Sequence, residues 1–216
     1  MLIKIHMEKD MNNLDVKIVI ENAPPKAGKD TVADKISYDY RYCGMNRFGK
    51  YNVTTASFKE ELIKIALCVS GIPLEEWNLR YTKDKDTPWD KLGGLSQRQY
   101  LIKISEEWVK PVHGEKFFGD KVVQHIESNN HAVPSLYLIP DGGFEEEVLP
   151  LIDRFGAESI LILQWEKEGC SFENDSRDWI LNYPEITRYI GENKQGELDD
   201  FADRFVDTVA WFLGEQ

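Results

Sequence analysis

Gly28-Lys29-Asp30-Thr31 is the stretch of this 216-residue chain whose residue types and spacing point most directly to chemistry. Gly28 lets the backbone approach a ligand closely. Lys29 brings a point charge that can bridge terminal phosphates, and Thr31 adds a hydroxyl. The four residues follow VKIVI (16–20), apolar enough for a buried strand, and precede Val32, Ala33 and Ile36, which are spaced for a helix. A strand, a loop and a helix N-terminus in that order aim backbone N–H groups and a helix dipole at an anion. This is the context that a Walker A phosphate loop needs. The G-x-x-x-x-G-K-[ST] pattern is met in part, because Ala23 replaces its first glycine and Asp30 its Ser/Thr. The competing reading is a chance Gly-Lys turn with a solvated lysine.

Two further positions join this list. Asp141 follows the apolar run Leu136–Ile139 and Pro140. Ligands of open α/β sheets gather at the C-terminal ends of strands, so Asp141 faces the phosphate loop. It could coordinate Mg²⁺ through water or accept a substrate hydroxyl, or simply cap the following helix. Arg98 falls in the first turn of a helix opened by a Ser96/Gln99 capping box, where the helix dipole adds to its charge. A plain surface arginine is the alternative.

The elements that must position these residues alternate strand and helix. Val16–Ile20, Leu136–Ile139 and Ile160–Leu163 are continuous apolar runs, which suit parallel strands covered on both faces. A weaker fourth strand is expected near Val53. A helix from Phe58 carries Phe58, Leu62, Ile65, Ala66 and Val69 on one face, with Ser57/Glu60 as its capping box. The Ser96 helix should bury Tyr100, Leu101, Ile104 and Trp108. A third helix after Asp141 uses Phe144, Val148, Leu151 and Ile152. The last uses Leu198, Phe201, Ala202, Phe205, Val209 and Phe212. The expected fold class is α/β: three layers, α/β/α, around a central parallel sheet with right-handed crossovers. One domain spans 1–216. Residues 71–95, rich in Pro, Gly and charge, form a long surface excursion with at most a short helix, and 167–177 has the same loop character.

Bulk composition narrows the function classes. Lys plus Arg is 26 against 38 Asp plus Glu, a net charge of −12. A broad nucleic-acid footprint needs clustered Lys and Arg, so the charge argues against it. An anionic ligand must instead be held by local groups. No apolar window is long enough to span a membrane, so no membrane partner is expected. The N-terminus has scattered charges and no h-region, and reads as a mature cytoplasmic start. Cys43, Cys68 and Cys170 form neither a disulfide framework nor a zinc pattern. His6, His113, His125 and His131 lack metal-ligand spacing.

In order along the chain, AGKDT (27–31), SFKEELIKIALCVSGIP (57–73), LSQRQYLIKISEEWVKP (95–111), PDGGFEEE (140–147) and IGENKQGELDDFADRFV (190–206) resemble segments of the bacteriophage deoxynucleoside monophosphate kinases, within the nucleoside monophosphate kinase group. In that group a Lys-Gly-Thr ending also displaces the hydroxyl by one place, and Lys29-Asp30-Thr31 is similar to it. The 140–147 stretch is like the family's Asp-Val-Arg-Phe-x-x-Glu segment, with Gly143 in place of its arginine. Lys110 stands where a Gly-Arg pair is common, and the Gln164–Lys167 region also lacks an arginine that relatives often carry.

The resemblance implies a P-loop kinase fold, with 71–95 as a substrate-side insertion and 167–180 as a lid. It implies transfer of the ATP γ-phosphate to a (deoxy)nucleoside monophosphate, with ATP and Mg²⁺ as cofactors. Ala27, Gly28, Lys29, Asp30 and Thr31 would bind ATP. Thr31 and Asp141 would hold the metal. Lys59 and Arg98 would hold the acceptor phosphate, and Arg177 would close over the transferring phosphoryl, unless it only pairs with Asp175 or Asp178. Lys29, Asp141 and Arg177 would be the catalytic set. Relatives of this kind are often homodimers. Two other readings stay open: a P-loop kinase acting on a modified base in DNA, and a degenerate P-loop protein that binds nucleotide without transferring a phosphoryl.

Overall fold

The structure is a computed structural model, and it describes residues 15–42, 47–129, 133–173, 175–194 and 198–214. His6, Cys43, His131 and Gly196 of the C-terminal stretch lie outside the described residues, as does the N-terminal start.

Five strands make one all-parallel sheet: β1 (Val16–Asn22), β2 (Asn52–Thr55), β3 (Ser135–Ile139), β4 (Ile160–Lys167) and β5 (Thr187–Asn193), in the spatial order β2-β3-β1-β4-β5. Helices cover both faces. On one lie α1 (Lys29–Tyr42) and α8 (Leu198–Phe212). On the other lie α2 (Lys59–Ser70), α4 (Gln97–Lys103) with its continuation through α5 (Lys110–His113), α6 (Phe117–Asn129) and α7 (Glu145–Phe155). Period-two alternation splits the core. Ile18, Ile20, Tyr137, Ile139, Ile160 and Ile162 pack toward the α2–α7 side. Val19, Leu136, Leu138, Leu161, Leu163 and Trp165 pack toward α1 and α8. This arrangement is the expected α/β class and is compatible with three layers.

Two elements have no counterpart among the sequence expectations. β5 is an edge strand whose sequence, TRYIGEN, is mostly half-buried and has no apolar run. α6 buries Phe118, Val122 and Ile126 at i, i+4 spacing. The 71–95 excursion holds more order than expected, since α3 (Leu74–Asp84) runs 11 residues and buries Trp77.

The Ser96/Gln99 capping box forms, with both reciprocal hydrogen bonds in place. The Ser57/Glu60 box does not. Glu60 pairs instead with Lys64, 2.8 Å away, and α2 has no side-chain bond from its N-cap, Phe58. Trp108 is also not a core residue, being 47% exposed. Residues Ile104–Val109 form a π-helical turn. Its extra residue carries Val109, rather than Trp108, into the core after Ile104. Among the described residues, no helix is long and apolar enough to cross a membrane.

The chain reverses direction across the sheet beside β1. After β1 it crosses to the β2 edge, returns through β3, and then passes to the far side as β4 and β5. The crevice outside the C-terminal ends of β1 and β3 is where such a sheet gathers ligands.

Candidate functional site

The loop after β1 enters α1 through two residues of positive φ, Lys26 (66°) and Gly28 (98°). The Gly28 carbonyl accepts the first helical bonds, from the N–H groups of Thr31 (3.1 Å) and Val32 (3.2 Å). Lys29 opens α1, and its Nζ folds back to donate to the carbonyls of Ala23 and Pro24, the latter at 2.9 Å. The loop is braced from behind. The Ala27 carbonyl accepts from the Trp165 indole and from the Asn193 amide, each at 3.0 Å. Ala27 itself is wholly buried, so only its backbone takes part in the loop. Asp30 sits in the first turn of α1, and Thr31 is exposed there.

Asp141, at the end of β3, is 4% exposed. It does not cap the helix that follows it. Its carboxylate lies at the start of α2, where Oδ2 accepts from the Ser57 hydroxyl (2.8 Å) and the Lys59 N–H (2.9 Å), and Oδ1 from the Phe58 N–H (3.2 Å). The Lys59 ammonium lies 4.0 Å from Oδ2. This contact joins the end of β3 to α2 and holds Lys59 at the mouth of the crevice.

Arg177 and Arg98 meet at one carboxylate. Arg177 makes a two-pronged pair with Asp175, with Nε and Nη2 each donating at 2.8 Å. Arg98 Nη1 approaches the same group at 3.5 Å, while its Nε donates to Asp86 at 2.6 Å. Burial alone would raise the Asp175 carboxyl. The hydrogen bonds and charge of Arg177, with Arg98 adding to them, outweigh it and hold the group at about 2. The ion pair expected as the alternative for Arg177 therefore exists, and it coexists with a position on the cavity wall.

Gly143 explains how Arg177 gets there. A Cβ added to Gly143 would lie 2.5 Å from Arg177 Cβ and 2.7 Å from Cγ. The arginine stem occupies the space that a side chain at 143 would need. The rest of the strap is fixed. Asn22 at the end of β1 accepts from the Ile180 N–H (2.9 Å) and from the Gln164 amide (2.6 Å), and donates to the Asp178 carbonyl (3.0 Å). The Asp178 N–H donates to the Gly143 carbonyl at 2.9 Å. Residues 178–180, the C-terminal end of the expected lid, are thus tied to the sheet.

The loop, the β3 end and the arginine pair border one cavity of about 340 Å³. Its walls include Gly28, Lys29, Thr31, Lys59, Asp141, Arg98 and Arg177, together with Lys26, Lys85 and Asp175. Seven of the sequence candidates thus converge on a single space.

Other lining residues have no counterpart among the sequence candidates. They are Phe58, Leu62, Leu101, Phe118 and Phe144, with Ser105, Glu106 and Glu147. Lys110 is buried beside them. Its Nζ lies 2.8 Å from Glu106 Oε1 and 4.0 Å from the centre of the Phe144 ring. Glu147 is 4% exposed, and its Oε2 has no hydrogen-bond partner. Burial pushes the Glu147 carboxyl well above the usual range, and the charge of Asp141 adds to this against the pull of Lys110. Glu147 was open to a sequence reading as the last residue of the Phe-x-x-Glu spacing, whereas Ser105 and Glu106 depend on the π-turn that no residue pattern announces.

Among the described residues, no group of three or more His, Cys, Asp or Glu is placed to hold a metal ion. No protein-family model matches the sequence, and no curated protein matches it.

Proposed function

We propose that the protein is a P-loop nucleotide kinase, similar to the bacteriophage deoxynucleoside monophosphate kinases, which transfers the γ-phosphoryl of ATP to a (deoxy)nucleoside monophosphate. One observation carries this reading: the phosphate-type loop, two arginines and a second lysine border the same cavity at the C-terminal ends of β1 and β3. In a chain of net charge −12, six basic side chains gather here beside five carboxyl groups.

Such a transfer depends on positioning and charge neutralisation. The N–H groups at the start of α1 and the Lys29 ammonium would hold the ATP phosphates. Lys29 donates to the carbonyls of Ala23 and Pro24, and an anionic phosphate is a stronger partner than a neutral carbonyl. Lys59 and Arg98 would take the acceptor phosphate. Arg177 would neutralise the charge developing on the transferring phosphoryl. Asp175 orients both arginines and leaves Arg98 only partly engaged.

The donor set fits Mg²⁺ in one arrangement. Asp141 already accepts three hydrogen bonds, with one lone pair remaining on Oδ1. Mg²⁺ keeps several waters and takes few carboxylates. The Thr31 hydroxyl and, through water, Asp141 would hold it beside the phosphates, where the ion would offset their charge.

Incubation with ATP and each deoxynucleoside monophosphate in turn, with ADP measured, tests this reading. Acceptor-dependent ADP is expected. ADP release that no acceptor stimulates would overturn it. The engagement of Asp141 by three protein donors favours a second reading, a nucleotide-binding protein without transfer. Tight ATP binding, no ADP and indifference to Asp141→Asn would support that version.

A further inference from the structure

Three aspartates lie among the basic groups of the cavity wall, and they are held in different ways: Asp86, Asp141 and Asp175. Asp141 accepts three hydrogen bonds at the start of α2, two of them from backbone N–H groups. Asp175 is 9% exposed and is fixed by its two-pronged pair with Arg177. Asp86 is more than half exposed, and its carboxylate is held by one bond, from Arg98 Nε at 2.6 Å. An exposed pair of this kind is weak, and water competes for both partners.

The backbone around Asp86 is secured without that bond. The Lys85 carbonyl accepts from the Arg98 N–H at 3.1 Å, and the Asp84 carbonyl from the Thr87 N–H at 2.9 Å. Arg80 Nη2 donates to the carbonyls of Thr87 (3.3 Å) and Pro88 (2.8 Å). Only the Asp86 side chain need turn to free Arg98. The edge of a guanidinium formed by Nε and Nη2 can receive two oxygens of one anion, and Asp86 bonds only the Nε of Arg98. A phosphate presents two oxygens to that edge and gains a bond that Asp86 does not make.

We propose that Asp86 is a displaceable occupant of the acceptor-phosphate site: it holds Arg98 at the cavity wall and yields that arginine to the phosphate of an incoming nucleoside monophosphate. The inference rests on the kinase reading, which places the acceptor phosphate at Arg98, and deepens it. Asp86 is a positioning residue that acts through Arg98. Acceptor affinity falls by the fraction of time that Arg98 spends on Asp86. For an exposed pair the reduction is about two- to sixfold.

The test is equilibrium binding of dAMP, dCMP, dGMP, dTMP and dUMP to the intact protein, measured by calorimetry, with the tightest binder carried forward to the variants. Asp86→Asn should bind it about two- to sixfold more tightly, whereas a merely structural Asp86 would give weaker binding when replaced. Arg98→Gln should bind it more weakly, and adding Asp86→Asn to Arg98→Gln should bring no gain, because the two residues act through one contact. Unchanged or weaker binding by Asp86→Asn would overturn the inference alone. So would an equal gain in the Arg98→Gln background, which would be the field of one lost charge, and so would an Arg98→Gln variant that binds as well as the unsubstituted protein. Binding of none of the five would overturn the kinase reading with it.

Discussion

Asp175→Asn should remove a defined part of the protein's sensitivity to acid. Asp175 is 9% exposed and is held by Arg177 through two charged hydrogen bonds, with Arg98 adjacent. Its carboxyl sits at about 2 in the folded protein against an ordinary 3.8. A difference of that size contributes about 2 kcal/mol. The sign follows from proton uptake: the unfolded chain binds the proton first as pH falls, so folding weakens. The contribution is complete above about pH 5 and is lost progressively toward pH 2. For a chain of this length it corresponds to about 4–8 °C in melting temperature. Other carboxyls held below their ordinary values, at Asp15, Glu60 and Glu145, add their own acid loss. The informative quantity is therefore the difference between two profiles. Thermal melts of the unsubstituted protein and of Asp175→Asn at pH 7, 5, 4 and 3 should converge as the pH falls. Curves that stay parallel down to pH 3 would refute the assignment of Asp175 as the charged hub of the two arginines.

Three further outcomes follow from the same geometry. Lys29→Ala should cut kcat about 10²–10³-fold, with a nearly unchanged melting temperature, because the Lys29 ammonium bonds to the carbonyls of its own loop; steady-state kinetics beside thermal melts check it. Gly143→Ala should cost about 1–3 kcal/mol in urea denaturation and lower kcat, because its Cβ would lie 2.5 Å from Arg177. Val109→Ala should destabilise by about 1–3 kcal/mol, while Trp108→Ser should stay within about 0.5 kcal/mol, which is the reverse of an uninterrupted α-helix and is read from paired denaturation curves.

Much of this architecture is legible in the residue pattern, and the exceptions have physical causes. The three central strands are continuous apolar runs because both faces are covered. β5 escapes detection because an edge strand buries too little to enforce such a run. The Ser96/Gln99 box was readable because both partners lie within one turn. At Ser57 the same local spacing misleads, because Asp141, 84 positions away, and not Glu60 joins the Ser57 hydroxyl at the helix start. Lys29, Lys59, Arg98, Asp141 and Arg177 were legible as residue types in order. Their convergence on one wall was not, since it depends on long-range pairing and on the room that Gly143 leaves for an arginine stem. Glu147 and the π-turn residues are a matter of burial and helix register, which local spacing does not encode.

The most direct test of the central claim follows the phosphoryl group itself. The protein is incubated with ATP labelled in its γ-phosphate, Mg²⁺ and each deoxynucleoside monophosphate, and the products are separated by chromatography. Label recovered in a deoxynucleoside diphosphate, and lost in Lys29→Ala, is the predicted result. Label that remains in ATP or appears only as inorganic phosphate, whichever acceptor is present, would contradict it.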